Sequence, residues 1–353
     1  MTSTVHVVGA GPSGLTLASL LADFGADLGL TEVTLHKRSA AESDRPALRA
    51  LLERGVLLAA EGPTRTALEG MGVEVAFSPA DALTRATVVV DTTGAAVANK
   101  DAQYSALTGT RGFVAVGGDL SFGAPFIHGI SEDALRRGTD RFLAIPDVGT
   151  HVVALLCHAL ARKPDGSMGL EDSRFLLMEP AAELGTASDF IASPVIQRHP
   201  DPQFGTHHAR DASLVLGGNT ALPVFSSSVE LHTQLLSTVH FQLRLADPMG
   251  KSELLSRLRE EPRVALTEKL SANPVVSFAR DNGYAGRLLN SLVVPHAALC
   301  VHGSRNVNLA GFAFAGRTGT QLYSALCAVL WLMEPEGMAR RLDALKPYIF
   351  AEV

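Results

Sequence analysis

Val5-His-Val-Val-Gly9-Ala-Gly11-Pro12-Ser13-Gly14 is an apolar run that breaks into G-x-G-x-x-G, and no other stretch restricts the fold as much. An Ala/Leu-rich helical segment follows to about Gly25, then a second apolar run from Glu32 to His36. Strand, tight turn, helix and strand in that order form the context in which the motif reads as a dinucleotide site. The first glycine permits the sharp turn, the second lets the backbone approach a pyrophosphate, and the third lets helix and strand pack closely. The helix N-terminus adds unpaired N–H groups and the positive end of a dipole. Gly9, Gly11, Pro12, Ser13 and Gly14 are therefore expected to bind the cofactor.

The end of the second strand selects the dinucleotide. An acid there would accept hydrogen bonds from a free ribose 2′-OH, but this strand ends His36-Lys37-Arg38-Ser39. Two cations and a hydroxyl suit a 2′-phosphate. The expected cofactor is NADP(H), read by Lys37 and Arg38.

A chain of 353 residues has room for two domains, and 46% hydrophobic with 19% charged residues describes a globular protein with a large core. The net charge of −6 and the lack of a basic block argue against a nucleic-acid partner. Cys157, Cys300 and Cys327 are few and widely spaced, which fits a reducing cytoplasm with neither a disulfide framework nor a metal motif. The first residues run straight into a strand, so no signal segment is expected. No uninterrupted apolar run reaches membrane-spanning length, and no membrane partner is expected.

Strands and helices alternate through the first 145 residues. Helices are expected at 45–54, 63–71, 81–84 and 99–107, and strands at 56–60, 73–77, 88–90, 113–116 and 141–145, with a further helix capped by Ser131. That alternation predicts a doubly wound parallel sheet of Rossmann type, in which ligands sit at the carboxyl ends of the strands. Thr92, Thr93, Gly94, Gly117 and Gly118 fall at such ends. After an apolar helix at 151–162 the texture changes. Strands are expected at 173–178, 213–216, 222–225, 239–245, 275–279, 297–301 and 307–314, and helices at 228–236, 251–260 and 285–292. This predicts an α+β substrate domain over residues 146–316 on a mostly antiparallel sheet. The closing helix, 320–333, is apolar enough to complete the first domain, so that 317–353 is assigned to it.

Two resemblances bear on function. Gly9-Ala-Gly-Pro-Ser-Gly-Leu-Thr-Leu-Ala18 is similar to the opening of flavin-dependent monooxygenases, but Lys37 stands where those proteins carry an acid, and Gly311-Phe312 where they carry Gly-Asp. From Val56 onward the chain resembles the archaeal type of glyceraldehyde-3-phosphate dehydrogenase. The matching pieces include Val88-Val-Val-Asp-Thr-Thr-Gly94, Gly117-Gly118-Asp119, Met178-Glu-Pro180, Thr206-His207-His208-Ala-Arg-Asp211 and Phe278-Ala-Arg-Asp-Asn-Gly283. The resemblance implies a GAPDH-like substrate domain, a lysine at position 37 on the NADP phosphate, and a general base within His207-His208. It also shows where the chain departs. The family's nucleophilic cysteine is replaced in Ala144-Ile145-Pro146-Asp147-Val148-Gly149-Thr150 by Pro146, and Phe175 and Leu176 fall near the phosphate-holding arginines. Without a thiolate there is no acyl-enzyme.

The expected activity is direct hydride transfer between NADP(H) and a small carbonyl or imine, with no cysteine thioester. A histidine of near-neutral pKa serves as the acid; a strand presents only one of two neighbours to the cleft, and the resemblance favours His208 over His207. Asp147 is the reserve catalytic candidate, Arg210 and Arg280 are candidates for an acidic substrate, Arg317 is assigned to the cofactor, and no metal is expected. The alternatives are a catalytically silent cofactor-binding homologue acting as sensor or scaffold and, further off, an FAD enzyme. A homo-oligomer, dimer or tetramer, is expected.

Overall fold

The computed structural model describes residues 3–181, 191–218, 220–233, 235–303, 305 and 307–353, with only the backbone of residue 317. The chain divides into two compact units. The first comprises Met1–His128, Glu132–Pro146 and Leu322–Leu345, and the second Gly129–Ser131, Asp147–Gln321 and Lys346–Val353.

In the first unit β1 (Thr4–Val8), β2 (Glu32–His36), β3 (Leu57–Ala59), β4 (Val88–Asp91), β5 (Gly112–Val116), β6 (Ala124–Pro125) and β7 (Phe142–Ile145) form one sheet, in the order β3-β2-β1-β4-β5-β7-β6. Every pairing is parallel. Strands β1, β4 and β5 are buried along their whole length, as expected of parallel strands covered on both faces. Their Val-rich sequences follow from that, since no residue faces water. The connecting helices are α1 (Pro12–Asp23), α2 (Gly25–Leu28), α3 (Arg45–Glu53), α4 (Gly62–Gly70), α5 (Pro79–Arg85) and α6 (Ala96–Ala102). The strand order reverses direction between β1 and β4, the point at which such Rossmann-like sheets open a crevice.

Two expectations for this unit need correction. Residues 73–77 make no strand, only the isolated bridge Ala59–Phe77. The helix expected after Ser131 is a single 3-10 turn, Glu132–Ala134.

The second unit is built on a separate mixed sheet. After α7 (Val148–Ala161) come β8 (Leu170–Pro180), β9 (Val195–Ile196), α8 (His207–Gly217), β10 (Val224–Leu231), β11 (Ser237–Leu245), α9 (Lys251–Glu260), β12 (Val264–Thr267), α10 (Ala272–Asn282), β13 (Leu292–Pro295), β14 (Cys300–His302) and β15 (Asn308–Ala315). The order is β12-β13-β15-β11-β8-β10-β9, with β14 on β15. The β8–β10 and β12–β13 pairs are parallel, and the remaining pairs are antiparallel. Helices α11 (Arg317–Met333) and α12 (Met338–Leu342) follow.

Four assignments here are reversed by the structure. Residues 213–216 lie in helix α8 and 275–279 in helix α10, not in strands; 228–236 contains the end of strand β10, and 285–292 forms no helix. Short apolar runs such as Ser213-Leu-Val-Leu216 fit either period, and tertiary packing decides between them. In β10 the inward positions after Val224 are Ser226 and Ser228, so its alternation is hidden behind polar side chains. Residues 346–353, assigned to the first domain, belong to the second unit: Leu266 N donates to Ala351 O, and Val353 N to Leu266 O, each at 2.9 Å. Among the described residues no helix is long and apolar enough to cross a membrane.

Candidate functional site

The first unit carries a cavity at the carboxyl ends of β1 and β2. Gly9 has φ +101°, a conformation L side chains rarely adopt. A Cβ on Gly14 would lie 1.9 Å from Gly9 O, so the helix closes on the turn only because that residue has no side chain. At Gly11, the N-cap of α1, a Cβ would meet nothing within 4 Å. The turn thus leaves open space above Gly11. No side chain caps α1, and Pro12 opens its first turn beside Ser13. Thr92 ties β4 to the turn, its Oγ1 donating toward the carbonyls of Val8 and Gly9 at 3.1 Å. Thr93 is spent on Asp91, whose buried carboxylate also accepts from Asn99 and from Tyr104 Oη at 2.7 Å. Both threonines therefore build the crevice wall. Gly94 has open space around it, and Gly117 and Gly118 end β5 with φ of +143° and +95°.

Lys37 and Arg38 separate in role. Lys37 is buried, and its Nζ pairs with Asp44 at 2.9 Å. Arg38 is exposed, with its guanidinium unpaired among the described residues, and lines a cavity of about 310 Å³ with His36, Glu61, Asn99 and Tyr104. Two carboxylates outside the strand-end tetrad, Asp44 a few residues on and Glu61 from beyond β3, thus stand near the end of β2.

The second unit holds the titratable centre. Asp147 is the N-cap of α7, its Oδ1 accepting from Thr150 N at 2.8 Å. The same carboxylate takes His207 Nε2 on Oδ2 at 2.8 Å and His208 Nδ1 on Oδ1 at 2.9 Å. His207 and His208 open helix α8 instead of lying on a strand, so the premise that only one of them can face a site fails. Their rings lie 4.0 Å apart and converge on one acid. His208 is buried, its far nitrogen 3.5 Å from Glu179 Oε2, whereas the His207 side chain is 45% exposed. Gly149 makes this possible, because a Cβ there would fall 2.5 Å from His208 Nδ1.

Burial works against charge on His208, but the carboxylates on either side push its pKa up to about 10. Burial would likewise raise Asp147, yet the two histidines hold its carboxyl well below the usual range. Glu179, opposed by burial, is lowered by His208 and by the Ser228 hydroxyl that donates to it. Glu179 and Gly149 were not singled out from the sequence. Both stood in view, in Met178-Glu-Pro180 and in Pro146-Asp-Val-Gly149, but their partners come from other segments.

Arg210 lines a cavity of about 100 Å³ with His207, Arg198, Asp201 and Thr206, and its Nε bonds to Asp211 at 2.9 Å. Arg280 is held by Asp281 and Ser277 on α10, which follows β12 at the opposite end of the sheet from β10. Nothing joins it to the histidines. Arg317 opens α11, and its side chain lies outside the described residues. Cys157 is fully buried, and burial pushes its thiol up to about 12, far from a reactive thiolate. Comparison with protein-family models and with curated proteins finds no match for this chain.

Proposed function

We propose that the chain is an NADP(H)-dependent oxidoreductase that moves hydride directly to or from a small carbonyl or imine compound, without a covalent thioester. The observation that carries this reading is the pair of open features in the first unit, the space over Gly11 and the unpaired Arg38 guanidinium in the cavity at the end of β2. In this reading the parallel sheet is a doubly wound nucleotide-binding fold and the second unit a GAPDH-like substrate domain. Support comes from the strand order and from the assignment of Leu322–Leu345 to the first unit.

The α1 N-terminus and the backbone of Gly11–Gly14 would hold the pyrophosphate, and Arg38, not Lys37, the 2′-phosphate. NADPH, when bound, supplies the hydride. The chain's own task is to offset the charge that develops on the substrate's oxygen or nitrogen, and the Asp147–His207–His208 centre is the electrophile for it. His207 is its most exposed member, and the small cavity with Arg198 and Arg210 beside it suits an acidic substituent. A cytoplasmic compartment fits three cysteines that form no disulfide among the described residues, one of them exposed.

Fluorescence titration tests the cofactor. NADPH should bind at least tenfold more tightly than NADH, which needs only about 1.4 kcal/mol. Arg38→Ala should remove most of that ratio while leaving NADH affinity unchanged. Equal affinities of the native protein for the two nucleotides would overturn the proposal. Single-turnover NADPH oxidation, screened over keto acids and cyclic imines, should then fall roughly 10²–10⁴-fold in His207→Ala.

A further inference from the structure

Asp147, His207 and His208 each offer one ligand atom, and those atoms lie within 4.8 Å of one another. We propose that they form a three-ligand site for a zinc-type divalent cation, with an open position on the His207 side. Two imidazoles and a carboxylate plus a free position is the donor set of hydrolytic and Lewis-acid zinc centres. Zinc bonds of about 2.0–2.1 Å in tetrahedral array set ligand atoms about 3.3 Å apart, so the N···O contacts of 2.8 and 2.9 Å must open slightly and any wider ligand pair, within 4.8 Å here, must close toward that value.

A second observation comes from the far side of the His208 ring. Its Nε2 is buried without a hydrogen-bond partner, 3.5 Å from Glu179 Oε2. With a metal ion on Nδ1, the ring's N–H lies on Nε2 and points at Glu179. Metal-bound histidines almost always donate their second N–H to such a carboxylate. Glu179 is itself held by the Ser228 hydroxyl, and Asp147 by Thr150 N.

Only the use of the ion rests on the proposed function, where it would be the electrophile on the substrate oxygen and His207 would position it. Binding itself does not depend on that reading. The test is titration of the full-length, chelator-treated protein with Co²⁺, followed by its visible d–d absorption, with Zn²⁺ as competitor. The expected result is one Co²⁺ per chain with the intense band of low coordination number, displaced by Zn²⁺. His207→Ala and Asp147→Asn should lose the band, and Glu179→Gln should weaken binding roughly 10–100-fold. His302→Ala, on exposed β14, should change nothing. His207→Ala alters an exposed side chain, so it stays informative if Asp147→Asn fails to fold. Absence of a band, or an equal band in wild type and His207→Ala, overturns the site. Co²⁺ binding without NADPH binding would sink the proposed function alone, and NADPH binding without a cobalt band would sink the metal site alone.

Discussion

Gly11 and Gly14 belong to one turn, yet a methyl group would meet opposite surroundings at the two. At Gly14 it would collide with Gly9 O and with Thr92 Oγ1, 2.7 Å away, both fixed by backbone or hydrogen bonds. At Gly11 it would stand in open space, with a backbone φ of −77° that alanine adopts readily. Gly14→Ala should therefore cost about 1–3 kcal/mol of stability by overpacking. Gly11→Ala should leave stability within about 0.5 kcal/mol and lower NADPH affinity at least tenfold. Paired thermal melts and nucleotide titrations check both. Unchanged NADPH affinity in Gly11→Ala would mean that no ligand uses that space. Lys37 illustrates the same scale from the other side, since its partner Asp44 makes it part of the wall, and Lys37→Ala should lose stability more than cofactor selectivity.

Among the elements, the pairing of α8 with β10 decides where the histidines point. Ser226, fully buried on β10, bonds Thr206 Oγ1 at 2.6 Å and accepts from Ala209 N at 3.1 Å. It thereby fixes the first turn of α8, on which His207 and His208 sit. Ser226→Ala would leave a buried N–H of that turn unpaired, at a cost of about 1–3 kcal/mol. Chemical denaturation should register the loss, and the His207 and His208 imidazole resonances should move with it. A variant as stable as wild type, with unmoved imidazole signals, would show that the hydroxyl row on β10 is not what orients the helix.

For the molecule as a whole, acid acts on the two units at different pH. In the first unit burial, helped by His36, lowers the His6 pKa to about 3. The unfolded chain, with His6 near 6.5, binds the proton first, so stability is complete above that value and drains away as pH falls from 6.5 toward 3. In the second unit Glu261, despite burial, is held down to about 2 by His158 and Arg263, and its contribution is lost only as pH falls from about 4.5 toward 2. Trp331, the only tryptophan, is buried in the first unit and reports on it. Between pH 7.5 and 5.5 wild type should lose about 1 kcal/mol more than His6→Gln in melts followed by Trp331 fluorescence. Identical pH slopes in the two proteins would remove His6 from the account.

What the sequence determined by itself is what short-range patterns encode. The glycine turn between β1 and α1, the alternation that produces a parallel sheet, the Val88-Val-Val90 run of β4 and helix α9 over 251–260 are each written within about a dozen neighbouring residues. Glycine stereochemistry and side-chain period act over that range, so the elements can be read locally. The tertiary structure decided everything that depends on residues far apart meeting. Glu61 joins His36 and Arg38 around one cavity, and Gly149 makes room for the His208 ring. Asp147, Glu179 and the two histidines come from α7, β8 and α8, and they converge only when α8 packs on β10. That helix was itself misread as strand, because Ser213-Leu-Val-Leu216 suits either period and buried serines mask the alternation of β10. Charge and hydrogen-bond partnership are properties of distance in space, and sequence separation does not carry them.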